Sequence, residues 1–383
     1  MATSVRDEVL YASPANGRWR KVTDHNNSKT PMQLDESDYD LPGELVAQHP
    51  LKVRDRARML IVDRTQSSLV HAQVRDLVTL LTPQDVLVVN NTKVFPARLL
   101  GRRRDTGGRV EILLVRPEGV QRWQALVKPS QRLAMGAEVI FADTDWFAVL
   151  GASDAAGTRQ VEFRGRGNFR SWLRRAGRVP LPPYIKRPND HDAAISDATL
   201  SDRRRYQTVY AKHQGSVAAP TAGLHLTRSL LRRLQEKGVE IRAITLHVGP
   251  GTFRPLRSPA VEAHTMDAEH YWIPPATAAA LEAAKTTGKR LIAVGTTTTR
   301  ALESAAAADG RMRHLEGDTT LFIYPGYRFK IVDSLLTNFH LPRSTPLLLT
   351  MALAGRERIF AAYGEAIAQR YRFYSYGDAI LIL

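Results

Sequence analysis

The hydrophobic pattern along this chain alternates between two textures. Short runs of branched apolar residues, too short for helices, recur at residues 59–62, 86–89, 244–246, 291–294 and 379–383. Their length and branching predict buried strands. Stretches with helical periodicity separate them. Residues 73–81 predict an amphipathic helix, as do 228–237, where Gly238 supplies the stop. Residues 275–287 predict an alanine-rich helix, and Ser344 or Thr345 caps a strongly apolar one. Strands that alternate with helices predict a mixed α/β domain whose site lies at the strand ends. Between residues 98 and 163 the texture changes to short alternating runs such as RVEILLVR, WQALVK and RQVEFRG, parted by Gly- and Pro-containing turns. Evenly spaced short strands predict a small antiparallel β-barrel inserted into the α/β domain. The expected organisation is a flexible extension over 1–33, a discontinuous α/β domain over 34–97 and 180–383, and the barrel domain over 98–179.

Polar residues collect where the predicted strands end. Asn90-Asn91-Thr92-Lys93 follows one strand, and amides there either hold a ligand or cap a turn. The block GSVAAPTAGLHLT packs Pro220, Thr221 and Gly223 around His225. The block ITLHVGPGTF ends a strand at His247 and turns through Gly249, Pro250 and Gly251 to Thr252. Glycine and proline at this density imply a backbone shaped for close approach; local hydrogen bonding of either histidine is the alternative. Residues 264–270 bring His264, Asp267, Glu269 and His270 into one turn-like segment. Gly295 with Thr296 and Thr297 opens a helix, so that N–H groups and hydroxyls would face an anion or polar ligand, with Arg300 one turn on. Asn338 and His340 end another segment just before Leu341-Pro342.

Charge adds a partner. The 383 residues carry a net charge of +16 and a pI near 10.2, an excess that attracts polyanions, nucleic acid first among them. Arg102 and Arg103 lie near the start of the barrel, and Arg170 and Arg174 near its end. They suit a phosphate backbone or form a solvated rim. Arg203 and Arg204 precede Tyr206, which suits RNA stacking or plain core packing. The absence of cysteine excludes disulfides, thiolate metal sites and cysteine nucleophiles. No HExxH, GxGxxG, P-loop or GxSxG pattern occurs, and no metal site is expected. No apolar run reaches membrane-spanning length, so a cytoplasmic protein without membrane association is expected.

An ordered set of segments carries a resemblance: DYDLPGELVAQHP, VVNNTKVFPARL, YQTVY, VAAPTAGLH, LHVGPGTF, VGTTTTRALES, FIYPG, LLTNFHLPRST and YRFYSYGDA. Together they resemble the S-adenosylmethionine:tRNA ribosyltransferase-isomerases of queuosine biosynthesis, from about residue 35 to the C-terminus. The chain departs from that family's pattern at Thr298-Thr299, where Ser-Val is more usual, and at Pro250, where a smaller residue is common.

The resemblance implies an α/β fold with an inserted β-barrel. It also implies transfer of the ribosyl part of S-adenosylmethionine onto 7-aminomethyl-7-deazaguanine at the tRNA wobble position. The ribose rearranges to give epoxyqueuosine while adenine and methionine leave. S-adenosylmethionine is then a consumed substrate, and no cofactor is expected. Such chemistry needs a base for a hydrogen beside the sulfonium and an acid for the departing adenine. His225, His247, Glu269 and His340 are the expected groups, with base and acid unassigned. Gly295, Thr296, Thr297 and Arg300 are expected at the methionine carboxylate. Asn90, Asn91, Thr221, Gly223, Gly249, Gly251, Thr252 and Asn338 complete the expected substrate contacts. Arg102, Arg103, Arg170, Arg174, Arg203, Arg204 and Tyr206 are expected at the tRNA, and a monomer is expected. A methyltransferase acting on RNA and a non-catalytic RNA-binding module are the rival readings.

Overall fold

The computed structural model describes residues 31–66, 68–130, 133–154, 157–187, 197–253, 256 and 258–383, with backbone only at 197–199 and 252–253. Most of the predicted N-terminal extension lies outside these residues. Residues 32–34 are anchored: Met32 N–H donates to Glu262, and Leu34 N–H to the Pro259 carbonyl.

Nine strands form the main sheet. In spatial order they are Glu316–Thr319, Glu269–Trp272, Glu240–Leu246, Asp85–Asn90, Arg290–Val294, Ser334–Asn338, Ala379–Ile382, Arg58–Val62 and Leu69–Gln73. The four from Glu240–Leu246 to Ser334–Asn338 are mutually parallel, so their C-terminal ends share one edge. Period-two side-chain alternation makes this sheet the middle of three layers. Val86, Val88, Leu291, Ala293 and Leu335 face one core; Leu87, Val89, Ile292, Val294 and Leu336 face the other. The first core is covered by the helices Pro275–Thr286, Thr296–Ala305, Thr345–Ala354 and Arg356–Ala368. The second is covered by Leu77–Leu80 and Arg228–Glu236. The Arg228–Glu236 helix is capped by Thr227, whose hydroxyl accepts the Leu230 N–H, and Gly238 follows it with φ of 92°.

The inserted segment is a closed six-stranded antiparallel barrel. Its strands are Arg98–Arg103, Arg109–Pro117, Arg122–Lys128, Glu138–Ile140, Phe147–Ser153 and Arg159–Arg164. Alternation fills it with Leu99, Val110, Ile112, Leu114, Val127, Leu150 and Phe163. The helix Phe169–Ala176 joins this core through Phe169 and Trp172, whose rings meet Phe163 and Trp146. Arg98 and Arg178 exchange backbone hydrogen bonds of 3.0 and 2.7 Å, so the insert begins and ends at one place.

Two local expectations need correction. The periodic stretch 73–81 is not one regular α-helix: it is helical over 74–80, where the 3-10 turn Val74–Asp76 runs into the α-helical turn Leu77–Leu80. Only Gln73 belongs to the edge strand Leu69–Gln73, which pairs with Arg58–Val62. The segment 264–270 is not one turn either. Glu269–Trp272 is a strand, which sends Glu269 inward and leaves His270 exposed.

Candidate active site

The parallel strands end in a platform of interlocked polar groups. Asn90 is fully buried and spends its amide on the framework. Its Nδ2 donates to the Leu246 carbonyl at 2.9 Å, and its Oδ1 accepts the Leu246 and Thr92 N–H groups. Asn91 Oδ1 accepts the Thr245 hydroxyl at 2.7 Å. These amides pin two neighbouring strand ends together, so their part in the site is to shape it rather than to face a ligand. Thr297, at the start of the Thr296–Ala305 helix, lies 3.4 Å from Asn90 Nδ2. Gly295 precedes that helix at φ 88°, a conformation that favours glycine, and a side chain there would meet Ala222.

His247 stands on this platform just past the strand Glu240–Leu246. Its Nδ1 is 2.8 Å from the Thr92 hydroxyl. Its ring lies against Gly215, where a Cβ would come within 2.6 Å of Nε2. Nε2 has no hydrogen-bond partner among the described residues. Burial lowers its pKa, and the nearby His270 and His213 lower it further. A half-buried imidazole, oriented on one nitrogen and free on the other, can move a proton near neutral pH.

The other three expected acid–base groups are differently placed. Glu269 is 4% exposed, with one oxygen accepting Gly249 N–H at 3.0 Å and the other held by the Arg300 guanidinium. Arg300, 6% exposed, also donates to the carbonyls of Leu321 at 2.8 Å and Thr319 at 3.3 Å. This buried pair ties the glycine-rich turn after His247 to the Thr296–Ala305 helix. It assigns Glu269 a structural duty that the sequence did not reveal. His340 sits beside Thr337, whose hydroxyl is 3.0 Å from Nε2; its N–H donates to the Tyr363 hydroxyl and its carbonyl accepts from Tyr39. Burial pushes its pKa down to about 3. His225 is 4% exposed, with Nε2 3.0 Å from Asn338 Nδ2. Burial first, then the charges of Arg372 and Arg54, push its pKa down to about 4. Both of the last two imidazoles are thereby held in the neutral form at neutral pH.

An open depression lies beside the platform, lined by Met266, Thr296, Thr297, Arg300, Phe322 and Leu349 among others. Thr296, Thr297 and Arg300 therefore do meet at one surface. Arg300 reaches it with its guanidinium already shared among Glu269 and two carbonyls. Thr221 is half-buried, and space around Gly249 is open. Gly223 is a packing position, since a Cβ there would fall 2.0 Å from the Tyr210 hydroxyl. Gly251 is likewise crowded by Asp267. The side chain of Thr252 lies outside the described residues. Among the described residues no cluster of metal ligands occurs, and no helix is long and apolar enough to cross a membrane.

The expected RNA contacts divide. Arg102, Arg170, Arg174 and Arg204 are exposed. Arg103 pairs with Asp105, and Arg203 donates to the carbonyls of Arg175 and Gly177, binding the barrel's final helix to Asp197–Arg205. Tyr206 corrects the sequence reading. It is 0% exposed and meets Tyr376 edge-on at 5.9 Å, so its ring belongs to a core and has no face for a base. Sequence reasoning missed Thr92, although it adjoins the two asparagines, and it missed Arg54 and Arg372, for which no local pattern exists.

Known proteins resemble this chain over nearly all its length. A family model described as "Queuosine biosynthesis protein" matches residues 34–382. An S-adenosylmethionine:tRNA ribosyltransferase-isomerase from Pelotomaculum thermopropionicum is 49% identical over 92% of this chain and 100% of its own. Its counterpart from Symbiobacterium thermophilum is 50% identical with the same coverage. The crystal structure of an S-adenosylmethionine tRNA ribosyltransferase from Thermotoga maritima aligns with a TM-score of 0.50 and 34% identity, covering 91% of this chain and 100% of that one. The mixed α/β sheet with its inserted barrel, the polar strand-end platform and these relatives agree: the chain belongs to the queuosine biosynthesis protein family.

Proposed function

We infer that this chain is an S-adenosylmethionine:tRNA ribosyltransferase-isomerase. It transfers and isomerises the ribosyl group of S-adenosylmethionine onto 7-aminomethyl-7-deazaguanine at the tRNA wobble position, releasing adenine and methionine. The observation that carries this reading is near-50% identity along the whole length of relatives bearing that name. His247 supplies the geometry that the chemistry asks for. The positive sulfonium acidifies the adjacent C5′ hydrogens, and a base with one oriented and one free nitrogen can remove one of them. We assign that proton to His247 Nε2, with Thr92 holding the ring through Nδ1. Neutral methionine then leaves as a thioether without assistance, whereas departing adenine gains from a proton.

Under this reading S-adenosylmethionine is consumed as a substrate and no further cofactor takes part. The depression beside Thr296 and Thr297 receives part of that substrate, and the exposed arginines of the barrel face the tRNA. The enzyme acts as a monomer in the cytoplasm, where its tRNA is found. Replacement of His247 by alanine tests the assignment: adenine release should fall by at least about 100-fold while tRNA binding persists. Wild-type turnover in that variant contradicts the role.

A further inference from the structure

Asn338 and His225 form a relay that the acid–base chemistry above does not use. Asn338 Nδ2 lies 3.1 Å from the Tyr374 carbonyl and 3.0 Å from His225 Nε2. The carbonyl can only accept, so it fixes which way the amide points; the reversed amide would set oxygen against oxygen. The second amide N–H then faces His225, whose Nε2 must present a lone pair. The imidazole proton consequently resides on Nδ1. Nδ1 has no hydrogen-bond partner among the described residues, and the residue borders an open recess.

That recess is lined by Arg54, Leu224, His225, Arg372, Ser375 and Tyr376, among others. Arg54 is held across the carbonyls of Gln207, Arg204 and Arg205, and Arg372 donates to the Tyr376 carbonyl. Both guanidiniums are thereby fixed in place. Among the described residues two buried donors nearby lack partners, Arg372 Nε and the Tyr376 hydroxyl. Both can donate to an anion, and leaving such buried donors unmatched is costly. The two cations that oppose a proton on His225 favour an anionic group beside it.

We propose that Asn338 is a positioning residue that holds His225 as the neutral Nδ1–H tautomer, and that this N–H, flanked by Arg54 and Arg372, binds an oxyanion of the substrate. The oxyanion half of this statement rests on the function proposed above; the tautomer half does not. A carboxylate of S-adenosylmethionine and a phosphodiester of the tRNA share the required chemistry. In either case His225 donates a hydrogen bond and transfers no proton.

Long-range proton–nitrogen correlation NMR on the full chain, with histidine ring nitrogens labelled, tests the proposal. The His225→Asn spectrum assigns the signals. The His225 pair should keep the Nδ1-protonated neutral pattern from about pH 5.5 to about 8. An Nε2-protonated pattern, or a titration near the ordinary histidine value, overturns it. Asn338→Asp places a carboxylate against Nε2 and should bring a proton there and a titration into this range; an unchanged tautomer means that Asn338 does not set it. S-adenosylmethionine and tRNA, added separately, identify the oxyanion by whichever shifts the Nδ1–H signal, and no shift with either removes the oxyanion claim.

Activity gives the second arm. His225→Ala should lose about 100-fold in adenine release. His225→Asn, whose amide N–H stands where Nδ1–H stood, should remain within about tenfold of wild type. Equal collapse of both folded variants assigns proton transfer to His225 and overturns the proposal. Absence of adenine release from the wild-type enzyme would instead defeat the functional reading and leave the tautomer result standing.

Discussion

At the scale of single residues, the site separates one imidazole that can move a proton from two that are held neutral. His247 owes its readiness to Thr92, which occupies Nδ1 and leaves Nε2 free. Thr92→Val removes that hydroxyl while keeping its shape, so the ring loses its orientation. The expected outcome is a fall of about tenfold in kcat, with the KM for S-adenosylmethionine little changed. A raised KM at constant kcat would instead place Thr92 at the substrate. The sequence placed His247 at a strand end, because strand length and branching were plain, and set His225 and His340 in neighbouring polar blocks. It could not rank them. Their differences come from Thr92, Asn338, Thr337 and Tyr363, which the fold brings in from other strands, from the same strand end and, for Tyr363, from the helix Arg356–Ala368.

At the scale of elements, the Glu269–Arg300 pair is the joint of the site. It connects the strand Glu269–Trp272, the turn after His247 and the helix Thr296–Ala305. Removing one partner leaves the other buried charge without its counter-ion, which costs about 3–5 kcal/mol. Arg300→Met should therefore lower the urea midpoint by that equivalent and also reduce turnover, because Glu269, which anchors the Gly249 turn, loses its tie to the helix. Full stability in this variant would contradict the joint. Glu269–Trp272 was not legible as a strand. Its four residues, EHYW, carry too short an alternation, and pairing with Glu240–Leu246 and Glu316–Thr319 creates it. The same limit hid the edge strand Leu69–Gln73, of which the predicted helix took only Gln73. The long signals were legible: the buried central strands, the capped Arg228–Glu236 helix and the repeated short strands of the barrel.

At the scale of the molecule, acid and salt report on different parts of the account. His225 and His340 have folded pKa values of about 4 and about 3, below the roughly 6.5 of an unfolded histidine. Below that unfolded value the unfolded chain binds more protons, so stability falls as pH drops from about 6.5 toward about 4. Each histidine contributes on the order of 3–5 kcal/mol across its full window. Urea unfolding at about pH 7 and about pH 4.5 should show the loss, and His340→Gln should shrink it; a flat profile contradicts the buried neutral imidazoles. The net charge of +16 acts outward. Reversing the exposed Arg102, Arg170, Arg174 and Arg204 together should weaken tRNA binding and flatten its salt dependence, whereas an unchanged slope removes these residues from the interface. The central claim is ribosyl transfer, and the products decide it. The protein should be incubated with S-adenosylmethionine and tRNA bearing the aminomethyl-deazaguanine, and both the small molecules and the wobble base analysed. Adenine and methionine, with a matching mass gain on that base, is the expected result; S-adenosylhomocysteine, or tRNA binding without any product, would contradict it.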